Sequence, residues 1–413
     1  MRKNETDWKS RIRGIYGLQS AESAVSPFNL RDGAKPRKNI PEKITVYDST
    51  LRDGEQTPGV SFTLRQKLAI ARMLDGIRVP QIEAGFPAVS SDEKKSVKRI
   101  ARDGLDADIL ALSRVSRQDI DAAIDCDVDM ILLFAACSDL HMRFKLKQTQ
   151  EEVYQKTIES VEYARSHGID VSFSAEDSMR SRLDFLKRIY KGADDAGACR
   201  IGITDTVGCA SPEAVAFMVK EVGRAVKKPV SVHLHNDFGL ALANAIAGVQ
   251  AGAEAVTTTV LGIGERAGNV PLEQFVVAIK YLYGRDLGID TTGLKELSDM
   301  VSKFSRIKIP MHHPWMGSNV FSHESGIHVA AVLNCPFTYE CVAPERVGNR
   351  RKLALGKHSG ATIIRSKLQE KSLAGTNRQV EAILKRVKAH GEKKGRVSSR
   401  EFWKIAEREL KNK

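Results

Sequence analysis

The chain has 413 residues, 42% of them hydrophobic and 28% charged, enough for a large core with something appended. That composition excludes a disordered, collagen-like or disulfide-framed protein, and the six cysteines include no CxxC pair, so reduced thiols are expected. No apolar run reaches the length of a membrane span and the polar residues 1–41 carry no apolar block, which points to a cytosolic protein without a membrane partner. The net charge of +13 is uneven: residues 361–413 hold 15 Lys and Arg against 6 Asp and Glu, or +9. Only the adjacent Phe402 and Trp403 fall among those charges, not the interleaved series that base stacking requires, so a solvated helix face is expected first, a docking site for a phosphorylated substrate second, and a nucleic-acid partner is not expected.

From Ile44 to Gly284 the chain repeats a short β-branched run followed by a longer stretch at helical spacing. The predicted strands are Ile44–Ser49, Gln81–Gly85, Ala107–Leu112, Met130–Ala135, Val171–Ser174, Cys199–Thr204, Val230–His235 and Ala255–Val260. Between them fall predicted helices such as Leu64–Leu74, Gln150–His167, Ser181–Ala196, Pro212–Val226 and Leu240–Ala251. Eight such units predict an α/β fold, a (β/α)8 TIM barrel followed by a smaller, mainly helical C-terminal region; no GxGxxG follows the first strand, which disfavours a doubly wound sheet. The expected divisions are an N-terminal extension over 1–41, a catalytic barrel over 42–284, a linker subdomain over 285–360 and a basic helical segment over 361–413 with runs at Arg378–His390 and Ser399–Leu410.

A barrel enzyme works at the C-terminal ends of its strands, and several of these ends are polar. Strand 1 runs into Arg52-Asp53, strand 5 into Glu176, strand 6 into Asp205-Thr206 and strand 7 into His233-Leu234-His235. Alternate strand residues share a side, so His233 and His235 can bind one cation, or simply hydrogen-bond to each other. With the Asp53 carboxylate and the Asn269 amide, they form a mixed N/O set suited to Zn, Mn, Co or Mg. Arg52 reads either as a barrel-mouth ion pair or as a holder of oxyanion charge, and Glu176 as an acid/base or as support for one. His323-Glu324-xxx-His328 has the wrong spacing for a zincin helix; the alternative is that His323 brings a proton-transfer group to a barrel mouth, including that of another subunit. The glycines at 262, 264 and 356–360 read as turns as readily as phosphate contacts.

Five motifs in order, DSTLRDGEQ (48–56), HLHND (233–237), GIGERAGN (262–269), HESGIH (323–328) and GKHSG (356–360), resemble the acetyl-CoA-dependent 2-oxoacid condensing enzymes, the homocitrate, 2-isopropylmalate and citramalate synthases, over residues 42–410. The resemblance implies an acyltransferase that adds an acetyl-CoA enolate to a 2-oxoacid and hydrolyses the thioester. It implies Asp53, His233, His235 and Asn269 as ligands of a divalent metal, and Arg52, Glu176 and His323 as catalytic groups. It further implies Gln56, Glu83, Arg114 and Thr206 as substrate contacts, small molecules as the partners, and a homodimer with exchanged segments. The segments SAEDSMR (174–180) and GITDTVGCASP (202–212) resemble homocitrate synthases, so 2-oxoglutarate is the expected acceptor, ahead of 2-oxoisovalerate. Fungal-type homocitrate synthases have an arginine where this chain has Ser172, so Arg143, Arg114 or Arg180 is expected to supply that charge. Polar lining is expected from Arg114, Ser138, His141, Arg143 and Ser172 at the ends of strands 3 to 5.

Overall fold

The structure, a computed structural model, describes residues 23–30 and 40–411. Contacts divide them into a unit over Phe28–Ile309 and a second over 23–27 with Pro310 onward. In the first, β1 (Thr45–Asp48), β2 (Gln81–Gly85), β3 (Asp108–Arg114), β4 (Met130–Ala136), β5 (Asp170–Glu176), β6 (Arg200–Asp205), β7 (Val230–Leu234) and β8 (Ala255–Thr258) pair in order as a closed parallel barrel. β8 returns to β1 with Asp48 opposite Thr258. All eight predicted strands are present. They were legible because both faces are buried, so each reads as an apolar run.

The barrel helices are α1 (Leu64–Gly76), α2 (Ser91–Ala101), α3 (Arg117–Ile124), α4 (Gln150–Ser166), α5 (Leu183–Asp195), α6 (Pro212–Ala225), α7 (Ala241–Gln250), α8 (Leu272–Tyr281) and α9 (Leu294–Ser305). Thr63 and Thr149 open α1 and α4 with capping boxes, and Pro212 occupies the first turn of α6, where no N–H is needed. The barrel unit passes the expected end at 284. Leu297 and Val301 of α9 are fully buried, α9 packs on α1, and Asp290 N donates to Ile77 O at 2.8 Å. The amphipathic α9 covers an otherwise bare face of α1, and this draws the boundary to Ile309.

The second unit contains α10 (Gly326–Asn334), α11 (Ala361–Gln369), α12 (Asn377–Lys394) and α13 (Ser399–Lys411). Two small ladders join them: β9 (Ser322–His323) lies parallel to β10 (Lys352–Leu353), and β11 (Leu355–Gly356) antiparallel to β12 (Arg396–Val397). Val329, Leu355, Ile363, Val380 and Phe402 share one core, so the expected division at residue 360 is replaced by a continuous hydrophobic cluster. The basic residues decorate its outer faces. The glycines of HESGIH and GKHSG are packing devices: a Cβ on Gly326 would sit 2.8 Å from the Gly360 Cα. The N-terminal extension lies mostly outside the described residues; within it, Ser23 bridges to Val342. Among the described residues no helix is long and apolar enough to cross a membrane.

Lys67 of α1 supports the loop after β1. It is 1% exposed, its Nζ lies 2.6 Å from both Glu55 and Glu93, and it donates to Leu51 O at 3.2 Å. Lys67→Met strands two carboxylates in a largely dry site and should lower stability by about 3 kcal/mol in urea unfolding. Adding Glu55→Gln and Glu93→Gln should restore much of that loss, because the uncompensated charge then disappears.

Candidate active site

The loop leaving β1 is tied to β2 by one carboxylate. Glu83, fully buried, accepts from Ser49 Oγ at 2.5 Å, from Arg52 Nε at 2.7 Å and from Arg52 Nη2 at 3.0 Å. The third arm of the fork, Arg52 Nη1, donates to Asp53 Oδ2 at 2.9 Å. Arg52 thus commits three of its five N–H donors and keeps two.

Asp53 meets the end of β7. Its Oδ2 lies 3.2 Å from His233 Nε2 and 3.8 Å from His235 Nε2, and the two imidazole nitrogens are 3.3 Å apart. Strand alternation puts both rings on one side, and a bridge from His235 to Asn269 brings in the loop after β8. Glycine makes that approach feasible. A Cβ on Gly264 would overlap Asn269 Nδ2, and one on Gly268, where φ is +84°, would overlap the Gly262 carbonyl.

The donors fit a cation. Asp53, His233 and His235 present ligand atoms within 4.8 Å of one another, and Asp53 Oδ1 and Asn269 Oδ1 are buried acceptors without a hydrogen bond. Burial by itself would raise the Asp53 carboxyl, but Arg52 and the two histidines hold it well below the usual carboxylate range. Burial, followed by the charge of His233, pushes His235 down to about 4, so its nitrogen carries a free lone pair at neutral pH. An ionised carboxylate and the His235 lone pair, converging in a dry site beside the second imidazole, are the donor chemistry of a divalent metal.

These groups open on a cavity of about 270 Å³, lined also by Gln56, Glu176 and Thr206. Glu176 is held by Lys145 Nζ at 2.7 and 2.8 Å, while Thr206 Oγ1 accepts from Asp177 N at 2.8 Å. Glu83 is a support for Arg52, not part of the lining. Arg114 lies outside it, bidentate on Asp119 at 2.6 and 3.0 Å. His323 belongs to the second unit, where its Nε2 is 3.2 Å from Glu340 Oε1, a carboxylate also clamped by Arg351 at 2.6 and 2.7 Å.

The expected polar wall from strands 3 to 5 is corrected for strands 3 and 4 and for the residues named, while β5 lines the cavity with Ser174 and Glu176. Arg114, Ser138, His141, Arg143 and Ser172 do not line the cavity; Leu112, Leu132 and Phe134 do, because inward positions on β3 and β4 carry apolar side chains. Arg180 is also spoken for, bidentate on Asp177 at 2.8 and 2.9 Å. The guanidinium near Ser172 comes from the paired position on β6: Arg200 Nε donates to Ser172 Oγ at 3.2 Å and Nη1 to Gln81 Oε1 at 2.7 Å. It stacks 4.7 Å from the ring of Tyr47, which lines the cavity. Lys145, missed from the sequence, comes from the turn Met142–Leu146, which has no periodic signal.

A family model described as HMGL-like matches residues 43–301, and one described as homocitrate synthase post-HMGL domain-like matches 316–395. This chain belongs to the HMGL-like family. The HMGL-like chain is 50% identical to "Homocitrate synthase AksA" of Methanothermobacter thermautotrophicus over 381 residues, 92% of this chain and 96% of that one. It is 48% identical to "Probable 2-isopropylmalate synthase" of Ignicoccus hospitalis, over 92% of this chain and 96% of the relative. The hydroxymethylglutaryl-CoA lyase of Pseudomonas aeruginosa shares the fold, with a TM-score of 0.58 at 20% identity, over 64% of this chain and 94% of that chain. Within this metal-dependent family the chain is an acyltransferase of the homocitrate and 2-isopropylmalate synthase group.

One group below the site sets a pH dependence. Asp48 is fully buried, and desolvation pushes its carboxyl up to about 7 despite bonds from Thr50 N at 2.9 Å and Thr258 Oγ1 at 3.4 Å. A carboxyl raised in the folded state favours folding while it is protonated, so its contribution is lost as pH rises from about 4, where the unfolded group ionises, to about 7. Asp48→Asn should therefore gain stability on the parent chain across that window, by roughly 4 kcal/mol at most, and stay level above it in urea midpoints measured from pH 4 to 9.

Proposed function

We propose that the chain condenses acetyl-CoA with a 2-oxoacid, 2-oxoglutarate by preference, and releases CoA, acting as a homocitrate synthase. The observation that carries this is the convergence of Asp53, His233 and His235 beside Arg52 on a cavity at the C-terminal ends of the strands. A divalent cation held by those three residues and Asn269, whether Zn, Mn, Co or Mg, supplies Lewis acidity and a template for the keto-acid head. The two uncommitted N–H donors of Arg52 hold the charge that develops on the ketone oxygen as the new carbon–carbon bond forms. Gln56 and Thr206 bind the acceptor's carboxylate from the cavity wall. Glu176, poised on Lys145, takes part in proton transfer.

The preference for a dicarboxylate is supported by one cation without a carboxylate partner among the described residues, Arg200 beneath Tyr47 beside Ser172, and by the 50% identity to a protein named homocitrate synthase. The Leu112 and Leu132 wall favours a second reading, a 2-isopropylmalate synthase taking the apolar 2-oxoisovalerate. CoA release should be compared with 2-oxoglutarate, 2-oxoisovalerate, pyruvate and oxaloacetate. We expect the highest kcat/KM for 2-oxoglutarate, loss of turnover on chelation, its return with added metal, and about a tenfold loss for 2-oxoglutarate alone in Arg200→Met. A higher kcat/KM for 2-oxoisovalerate selects the second reading.

His323, oriented by Glu340, serves in this proposal as the proton-transfer group that a second copy of the chain supplies to the barrel of a homodimer. Mixing inactive His323→Ala with inactive Arg52→Ala chains should restore part of the activity. Verified mixed dimers that stay inactive contradict the shared site.

A further inference from the structure

The second unit contains a groove of about 880 Å³ between β10, β12 and the start of α13. Arg350, Lys352 and Arg396 stand in its wall, and among the described residues none of the three makes an ion pair. The carboxylates of the same wall are already neutralised. Glu370 lies 2.7 Å from Lys367, and Glu401 lies 3.0 Å from His390 Nε2 and 3.3 Å from Lys394 while also accepting from Ser398 at the head of α13. The groove thus carries three uncompensated positive charges beside apolar lining from the exposed Leu333 and the half-buried Leu353. A lining that mixes three free cations with apolar side chains, in about 880 Å³, has room for more than a simple inorganic anion. It suits a molecule with several clustered negative charges attached to an apolar ring.

We propose that this groove binds the phosphates of an adenine nucleotide bearing two or more of them, with Arg350, Lys352 and Arg396 on the phosphates and the base against Leu333 and Leu353. Arginine forks pair with phosphate oxygens in two-point hydrogen bonds, and lysine adds a point charge. Two sources share this chemistry: a free nucleotide, and the adenosine 3′-phosphate 5′-diphosphate end of the acyl-CoA co-substrate. The site itself is independent of which 2-oxoacid the barrel takes.

The test is calorimetric titration of the full chain with adenosine 3′,5′-bisphosphate, ADP, pyrophosphate and adenosine, at low and at physiological salt. We expect both nucleotides to bind, more weakly at higher salt, pyrophosphate to bind less tightly than either, and adenosine not to bind. The doubly neutralised variant Arg350→Gln with Arg396→Gln should weaken nucleotide binding about tenfold or more, while Arg350→Lys with Arg396→Lys retains most of it and guards against misfolding. A parallel rise in the KM for acetyl-CoA, with the KM for the oxoacid unchanged, assigns the groove to the co-substrate; an unchanged KM assigns it to a free nucleotide. Equal nucleotide affinity in the neutralised and parent chains overturns the proposal, as does binding of an oligonucleotide without binding of the mononucleotides. These titrations need no turnover, so their failure is distinct from a failure of the condensing activity.

Discussion

The buried carboxylate of Glu83 organises the barrel mouth. With no solvent contact, its oxygens depend on Ser49 and Arg52 for partners, and these reach it only if the loop after β1 folds back over β2. That fold-back sets Asp53 in front of β7 and fixes the plane of the Arg52 fork. Two carboxylates, Glu83 and Asp53, then share one guanidinium, and His235 stays neutral at physiological pH. A cation between Asp53 and the histidines meets an ionised carboxylate and the His235 lone pair, so the electrostatics of the loop and the ligand geometry call for the same group.

The opposite wall is assembled by absence of side chains. Gly262, Gly264 and Gly268 let the loop after β8 double back tightly enough for Asn269 to stand beside Asp53, and Asn236 N donates to Gly268 O at 2.9 Å to hold it against the end of β7. Any Cβ at 264 or 268 would displace the amide or the backbone of its own loop. These glycines therefore work through steric permission, where a phosphate-binding loop would use its N–H groups.

Much of this was readable in one dimension. Strands buried on both faces announce themselves as apolar runs, and the two-residue spacing of His233 and His235 states that they share a face without any knowledge of their neighbours. Arg114 and Asp119 are equally local, five residues apart across one strand-to-helix turn, and a search for such a partner would have removed Arg114 from the substrate contacts. Arg200 beside Ser172 is of another kind. It depends on which residues of β5 and β6 stand opposite each other, a relation created by barrel register and invisible to periodicity. The apolar wall at Leu112 and Leu132 was hidden for the opposite reason: polar residues past the strand ends drew attention away from the inward positions within the strands.

Arg200 also shows what a barrel interior tolerates. Its guanidinium is 5% exposed and among the described residues meets no carboxylate, only Ser172, Gln81, the Met130 sulfur at 3.4 Å and the face of Tyr47. Neutral acceptors satisfy its hydrogen bonds and the ring quadrupole offers some attraction, but neither cancels the charge. An arginine placed there for stability alone would be poorly placed, since an apolar side chain of similar volume costs no desolvation. A lone cation under the ring that lines the substrate cavity instead lends its field to whatever occupies that cavity, and the field favours an acceptor with a second negative charge over one with an aliphatic tail. The aliphatic wall on β3 and β4 and the cation beneath β1 thus pull acceptor choice in opposite directions, and a single unpaired charge in a low-dielectric interior outweighs a few methylene contacts worth about 1 kcal/mol each.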